Sequence, residues 1–338
     1  MYRTVTLLLT TLLLLCGCDS RPGRYARIEG FAQGGTYHVV YARPARVSEQ
    51  AVRSAVDSLL LDIDRTLSGY NKGSLLSRLN DGEDPCLNDL FIECFNRSKA
   101  VWAESGGAFD PSAAPLFDLW GFGFANKGTV TQAAIDSIRA FVGFDLLSLE
   151  ERGDGWHLVK ADPRMKLNFN AIAQGYSCDV VARYLASLGC GNYLVEIGRE
   201  IVCRGVNAAG ESWRIGLDRP EDGNFDEGKD LLAIFKVSDC GIVTSGNYRK
   251  FYVENGQKFA HTIDPSTGRP VTHSLLSATV VAADATTADA YATWLMVIGL
   301  ERAKEMLAQR PGLDALLVYD DAGVMRSFQT ENLKAYKP

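Results

Sequence analysis

Histidine is scarce in this chain. The four residues, at positions 38, 157, 261 and 273, form no His-x-x-x-His or similar pair of the kind that holds zinc. The Gly-x-Ser-x-Gly elbow of serine hydrolases does not occur. A Walker loop and a Gly-x-Gly-x-x-Gly fingerprint are also missing, which argues against the usual nucleotide-binding folds while leaving phosphate free to be held through a metal. Positive charge is not in excess: 35 Lys and Arg face 41 Asp and Glu, so the basic surface that attracts nucleic acid is not expected. Fixed-period repeats and low-complexity segments are absent. After Cys18 come Cys86, Cys94, Cys178, Cys190, Cys203 and Cys240, none in a Cys-x-x-Cys pair and most inside apolar runs. They are expected to be buried free thiols, even where an exported location permits disulfides.

The chain opens with a positive residue, Arg3, and then an apolar run from Val5 to Leu15 interrupted only by threonines. This is the pattern of a signal peptide and is short for a membrane span. Leu15-Cys16-Gly17-Cys18 resembles the bacterial lipobox, in which the last cysteine is lipidated. That resemblance implies a signal peptide over residues 1–17, a lipidated Cys18 and tether over 18–29, and one domain over 30–338. The protein would be anchored to a membrane on its extracytoplasmic, periplasmic face; plain secretion by a nearby cleavage is the alternative.

Hydrophobic spacing predicts a strand over 31–42, entered through Gly34-Gly35, then an amphipathic helix over 49–67 carrying Val52, Val56, Leu59, Ile63 and Leu67 on one face. A short helix is expected through Leu75, Leu76 and Leu79. A longer one is capped by Asn88 and stopped at Gly106-Gly107, and a small one is capped by Thr131. Between them, residues 108–123 read as a shaped loop with aromatic walls. Strands are expected at 156–159, 165–169, 193–202, 213–217, 231–237 and 275–282. A helix should follow 168–176 and end at Gly189, another should run from about 286 to 309, and a hairpin over 315–319 and 324–328 should close the chain. The order is mixed, so the fold class is α+β, with largely antiparallel sheets, packed helices and two intimately associated lobes.

Two places carry candidate chemistry. In the stretch from Thr244 to Pro270, Glu254-Asn255-Gly256 between aromatic-rich alternating runs predicts a hairpin. His261 and Asp264 come at the end of its second strand, just before a Pro-Ser-Thr-Gly turn. Such strand ends often carry sites; equally, Asp264 can simply cap its turn and His261 can be an ordinary sheet residue. In the predicted helix after 275–282, Asp289 and Thr293 lie four apart, on one face. A carboxylate with a hydroxyl suits Mg²⁺, although an Asp near a helix start also has a purely structural use.

These stretches resemble the ApbE family of FAD:protein FMN transferases. Ser245-Gly-Asn-Tyr248 and His261-Thr-Ile-Asp264-Pro-Ser-Thr-Gly-Arg-Pro270 match its Ser-Gly-Asp/Asn-Tyr and His-Ile-Ile-Asp-Pro-x-Thr-Gly-x-Pro signature. Further blocks follow in the family's order: Gly34-Gly-Thr-Tyr37, Ser68-Gly-Tyr70 with Leu76-Ser-Arg-Leu-Asn80, Phe109-Asp-Pro111 with Leu119-Trp-Gly-Phe-Gly123, Ala171-Ile-Ala-Gln-Gly-Tyr176, Val195-Glu-Ile-Gly198 with Glu200, and Ala288-Asp-Ala-Tyr-Ala-Thr293. The likeness runs from about residue 30 to the C-terminus.

The resemblance implies Mg²⁺-dependent cleavage of FAD, with FMN passing to a Thr or Ser hydroxyl of an acceptor protein and AMP leaving. Asp289, Thr293 and the Ala171 carbonyl would be the metal ligands. His261 would take the hydroxyl proton, a task suited to imidazole. Gln33, Tyr70, Ala108, Phe109, Asp110, Asn168, Gln174, Gly246, Tyr248, Ile263 and Asp264 would hold the flavin nucleotide. The implied partners are FAD, an acceptor of the membrane redox-subunit kind, and the membrane through the lipid anchor. Three positions depart from the family's commoner pattern: Gln33 stands for Met, Asn168 for Asp and Gln174 for Lys. The last two remove one charge of each sign together. An FAD pyrophosphatase using water, and a lipid-anchored protein that only stores FAD, are compatible with the same residues.

Overall fold

In the computed structural model the described residues are 24–221, 228–248, 251–254 and 257–334. Cys18, the leader and the Asn255-Gly256 turn therefore lie outside them. The first half of the chain runs β1 (Tyr25–Ala32), β2 (Gly35–Ala42), α1 (Glu49–Leu67), α2 (Leu75–Asn80), α3 (Asp89–Ser105), α4 (Ala114–Trp120), α5 (Gln132–Arg139), β3 (Leu147–Arg152), β4 (Gly155–Lys160) and α6 (Ala173–Ser187). Strands then dominate: β5 (Tyr193–Ile197), β6 (Glu200–Arg204), β7 (Trp213–Asp218), β8 (Leu231–Val237), β9 (Cys240–Gly246), β10 (Phe251–Glu254), β11 (Gln257–Ala260), β12 (Ile263–Asp264), β13 (Arg269–Pro270) and β14 (Leu275–Ala282). The chain closes with α7 (Ala285–Ile298), α8 (Leu300–Ala308), β15 (Asp314–Asp321), β16 (Val324–Gln329) and α9 (Glu331–Lys334).

Eight strands form one sheet in the order β1-β2-β5-β6-β9-β14-β15-β16, every neighbour antiparallel. The fold is α+β, as expected. Helices cover one face of the sheet. On the other, the β7–β8 hairpin packs Trp213, Ile215, Phe235 and Val237 against Ile242, Val281, Leu316 and Val318. Strand β14 is thus buried on both sides, all but Leu276 of its residues being buried, the small polar Ser277 and Thr279 included. A third cluster, with Leu116, Trp120, Phe122, Ile135 and Ile263, sits beside the main core.

Helix α1 has the expected bounds: Ser48 caps it by accepting from the Ala51 amide at 3.2 Å, and Val52, Val56, Leu60, Ile63 and Leu67 are buried. Asn88 caps α3 in the same way, and Gly106, at φ 61°, ends it in the left-handed region where glycine is favoured.

Elsewhere the structure corrects the sequence reading. The expected 31–42 strand instead spans a hairpin: residues 31–32 end its first arm, Gln33-Gly34 form its two-residue turn with φ 52° and 80°, and Gly35–Ala42 is its second arm; the first arm also takes in residues 25–29, expected to be tether. The 193–202 strand is likewise a hairpin turning at Gly198 and Arg199, φ 63° and 92°. Residues 165–169 form no strand because their backbone is satisfied otherwise: Asn80 clasps Leu167 with two 2.8 Å hydrogen bonds, and the Asn168 amide donates to Pro111 O. The 108–123 loop contains α4, ended by Gly121 at φ 80°. The long helix over 286–309 breaks at Gly299, φ 78°, where the His273 ring packs so close that a Cβ would lie 2.8 Å from it. Strands β1, β3 and β9 and helix α9 were not anticipated. The six cysteines after Cys18 are free; five are buried and Cys86 is exposed. Among the described residues, no helix is long and apolar enough to cross a membrane.

Candidate active site

The site begins where α6 meets α7. Asp179 of α6 accepts hydrogen bonds from the Ala285 and Thr286 amides (3.0 and 2.8 Å) and from the Thr286 hydroxyl, capping α7 from the neighbouring helix. Asp284 adds a local cap to the Thr287 amide at 2.7 Å. The two helices touch at Gly175, where a Cβ would lie 2.3 Å from Ala285 O and 2.8 Å from the Asp289 Cβ. Only glycine permits that approach.

The same junction orients the acidic residue. The Gly175 amide would ordinarily reach back four residues to the Ala171 carbonyl. Instead it donates to Asp289 Oδ2 at 3.0 Å, and the Ala171 carbonyl is left without its helical donor. Asp289 is only 4 % exposed, and burial pushes its carboxyl up to about 7 against the lowering effect of that amide. Thr293 stands one turn further along α7, its hydroxyl 3.4 Å from Ser245 Oγ.

A cavity of about 920 Å³ opens over this junction. Ala171, Asp289 and Thr293 line it, together with Gln33, Tyr70, Ala108, Phe109, Asp110, Asn168, Gln174, Gly246, Tyr248, His261 and Ile263. The structure therefore gathers into one space residues spread from position 33 to 293. Asp264 is not among the lining residues. Its Oδ1 accepts from the Ser266 amide and hydroxyl at 2.8 and 2.7 Å, so its side chain braces the turn.

Each wall has a local cause. Gln33 occupies the β1–β2 turn and donates to Ser177 Oγ at 2.7 Å. Asn168 makes its own turn by accepting from the Asn170 amide at 2.9 Å, while its amide ties that turn to Pro111. Asp110 accepts from the Ser112 amide and hydroxyl, yet burial pushes its carboxyl up to about 6. Tyr248 is buried, and its phenol is pushed up to about 12. Tyr70 instead stays 61 % exposed while lining the cavity, its ring edge-on to Phe124 at 4.9 Å.

His261 lies between β11 and β12. The β10–β11 hairpin is not part of the main sheet; its rings stack on the 108–123 segment, Trp120 on Phe259 at 5.5 Å and Phe122 on Tyr252 at 5.3 Å. Trp120 Nε1 also donates to Gly268 O at 2.8 Å, pinning the turn that follows His261. The His261 ring itself stands 6.5 Å from Phe122, edge to face.

Arg199 and Glu200 also line the cavity and were not among the sequence candidates. Glu200 Oε2 is buried with no hydrogen-bond partner among the described residues, and burial together with Asp289 pushes its carboxyl well up. Arg199 holds the turn before it, 3.8 Å from Asp218. Glu200 stood in one of the quoted blocks, but burial of a strand glutamate leaves no mark in a single sequence. The wall thus offers the buried Asp289 carboxyl, the buried Glu200 Oε2, the Thr293 hydroxyl and the Ala171 carbonyl without its helical donor. That hard-oxygen set has the chemistry of a divalent-cation site.

A sequence model of the ApbE family matches residues 34–317. Curated relatives include the FAD:protein FMN transferases of Vibrio cholerae, 32 % identical over 334 residues and 97 % of each chain, and of Escherichia coli, 30 % identical over 341 residues, 97 % of this chain and 96 % of the other. Solved structures agree. The flavin transferase ApbE of Vibrio cholerae superposes with a TM-score of 0.80 at 31 % identity, over 93 % of this chain and 100 % of that one. The apo flavinyl transferase ApbE of Pseudomonas stutzeri superposes at 0.81 and 32 %, over 93 % and 96 %. With most of its length matched in sequence and in fold, the chain belongs to the ApbE family.

Proposed function

We propose that this protein transfers FMN from FAD to a Thr or Ser hydroxyl of an acceptor protein, forming a phosphoester and releasing AMP. The observation that carries this reading is the single cavity that holds Asp289, Thr293 and Ala171 together with His261. Its volume of about 920 Å³ is at the large end of the roughly 300–1,000 Å³ typical of small-molecule sites, room for a dinucleotide rather than for a metal alone. The family relatives, named FAD:protein FMN transferases, support the same activity.

Asp289, Thr293 and the Ala171 carbonyl would hold Mg²⁺, and the undonated Ala171 oxygen fits that use. When bound, Mg²⁺ neutralises charge on the FAD pyrophosphate. The protein's own part is positioning. Tyr70 offers an exposed ring for stacking, and Phe109, Asp110, Asn168 and Gln174 hold the nucleotide. His261 accepts the proton of the acceptor hydroxyl as its oxygen attacks the FMN phosphorus. The P–O bond to the AMP phosphate then breaks, and its electron pair leaves with AMP. Asp264 acts through the His261 turn rather than on substrate.

The test is to incubate the full chain with FAD, Mg²⁺ and an acceptor domain, then follow acceptor mass and AMP. The expected result is a gain of one FMN per acceptor with matching AMP. Free FMN and AMP with an unmodified acceptor would make water the nucleophile, and neither product would leave FAD storage. We also infer, from Leu15-Cys16-Gly17-Cys18, a lipid anchor at Cys18 on the extracytoplasmic face of a membrane. Cys18→Ala should then shift the protein from the membrane to the soluble fraction, and an unchanged distribution would refute the anchor.

A further inference from the structure

Outside the cavity, three side chains of metal-ligating type converge where no sequence spacing announces them. Cys86 lies in the loop between α2 and α3, Asp154 in the turn joining β3 to β4, and His157 on β4. The main chain ties these pieces together through the Leu87 amide, which donates to Trp156 O at 2.7 Å. None of the three lines the cavity described above.

Their geometry is specific. Cys86 Sγ stands 3.6 Å from His157 Nε2 and 3.6 Å from Asp154 Oδ2, and His157 Nε2 stands 3.1 Å from Asp154 Oδ1. Sulfur and nitrogen ligands held at about 2.0–2.3 Å from one tetrahedral zinc lie roughly 3.3–3.6 Å apart, so the 3.6 Å edge between Cys86 Sγ and His157 Nε2 is that of a zinc tetrahedron, and the Asp154 carboxylate faces both corners, Oδ2 toward the sulfur and Oδ1 toward the nitrogen. The other ring nitrogen, His157 Nδ1, is 2.9 Å from Asp84 Oδ1, and Asp84 is itself gripped by Arg152 at 2.5 Å. A carboxylate on the far nitrogen fixes the tautomer and aim of a ligating imidazole. His157 is 4 % exposed, so its ring is already fixed, while Cys86 and Asp154 are exposed and leave an entry path.

We propose that Cys86, Asp154 and His157 form a zinc site, with Asp84 positioning the histidine and water completing the tetrahedron. The ligand class is a thiophilic first-row divalent cation, since thiolate, imidazole and carboxylate together suit zinc better than Mg²⁺. A nucleophilic-thiol reading fits less well, because Asp84 and Asp154 flank the cluster and anions disfavour a free thiolate. The cation would clip the β3–β4 hairpin to the loop leading into α3.

The full chain, stripped with a chelator and dialysed, is titrated with zinc chloride against a chromophoric zinc chelator, and separately with cobalt chloride. One equivalent of zinc is expected, with a thiolate-to-cobalt charge-transfer band in the near ultraviolet. Cys86→Ser should abolish that band and weaken zinc by about 100-fold or more, while leaving FMN transfer unchanged. Asp84→Asn should keep the band and weaken zinc by about 10–100-fold. Asp289→Ala should keep both, which separates this site from the cavity. Because Cys16 and Cys18 can also take zinc, the difference between wild type and Cys86→Ser is what decides. If folded Cys86→Ser, checked by circular dichroism, keeps the cobalt band and the zinc affinity, the proposal is overturned. It is equally overturned if the wild-type chain takes no zinc from the chelator.

Discussion

At the scale of single residues, the proposed reaction divides labour between a cation holder and a proton acceptor, and the two should fail differently. Asp289→Ala removes the buried carboxylate at the head of the oxygen set, so Mg²⁺-dependent transfer should fall to background. Full Mg²⁺-dependent turnover in this variant would refute the metal assignment. His261→Ala should leave FAD affinity within a few-fold while slowing transfer by roughly 10²–10⁴-fold, the usual worth of one general base; equal losses in binding and rate would count against the role. Asp110 yields a pH test. Folding raises its pKa from 3.8 to about 6, chiefly by burial, so the folded state holds the proton more tightly. This group favours folding below about pH 4, and the contribution is lost as pH rises to about 6, on the order of 3 kcal/mol in all. Asp110→Asn should therefore gain thermal stability relative to wild type across that window, and parallel melting curves would exclude the effect. His261 and the Asp289–Thr293 pair were singled out in the sequence with a structural use left open for each, and the fold brings all three to one cavity. Glu200 and the Cys86–His157 pair were not legible there: one needs burial to be noticed, and the other joins positions 71 apart.

At the scale of elements, the hairpin bearing His261 owes its place to rings rather than to sheet hydrogen bonds. Trp120 serves twice, stacking on Phe259 and holding Gly268 O. Trp120→Phe keeps a ring but deletes the hydrogen bond, at a cost of about 1 kcal/mol in stability. The larger effect is expected on turnover, since the loosened turn carries His261. Transfer rate should drop several-fold with FAD affinity nearly unchanged, and an unaltered rate would show that the turn is held by other means. The starts of α1, α3 and α5 fall where the sequence placed them, and there Ser48, Asn88 and Thr131 each satisfy an amide that the helix cannot. Two hairpins were read as single strands because Gln33-Gly34 and Gly198-Arg199 lack the Asn-Gly chemistry that usually marks such turns. Leu167 misled for the opposite reason. Its run looks like a strand, but the Asn80 side chain takes the place of a neighbouring strand.

At the scale of the whole molecule, the cavity is bounded by the β1–β2 turn, the 68–71 loop, the aromatic segment, the start of α6, the β5–β6 turn, the His261 loop and α7. A ligand filling it touches nearly every part of the fold, so occupancy should stabilise the chain as one unit. With FAD at about 100 times its Kd, linkage contributes about 2.7 kcal/mol. A rise of several degrees in the melting temperature is expected, with a single transition retained; a shift confined to one of two resolved transitions would show independent lobes. The α+β class was legible from the mixed order of periodic segments, whereas the joining of eight strands in one sheet depends on pairings far apart in sequence. At Gly175 the two helices depend on each other. The carboxylate of α7 is aimed by an amide of α6, and α7 is capped by an aspartate of α6. Anyone transplanting this centre into another scaffold would have to move both helices as a crossed pair, because α7 alone would arrive without the neighbour that sets the direction of its acidic side chain.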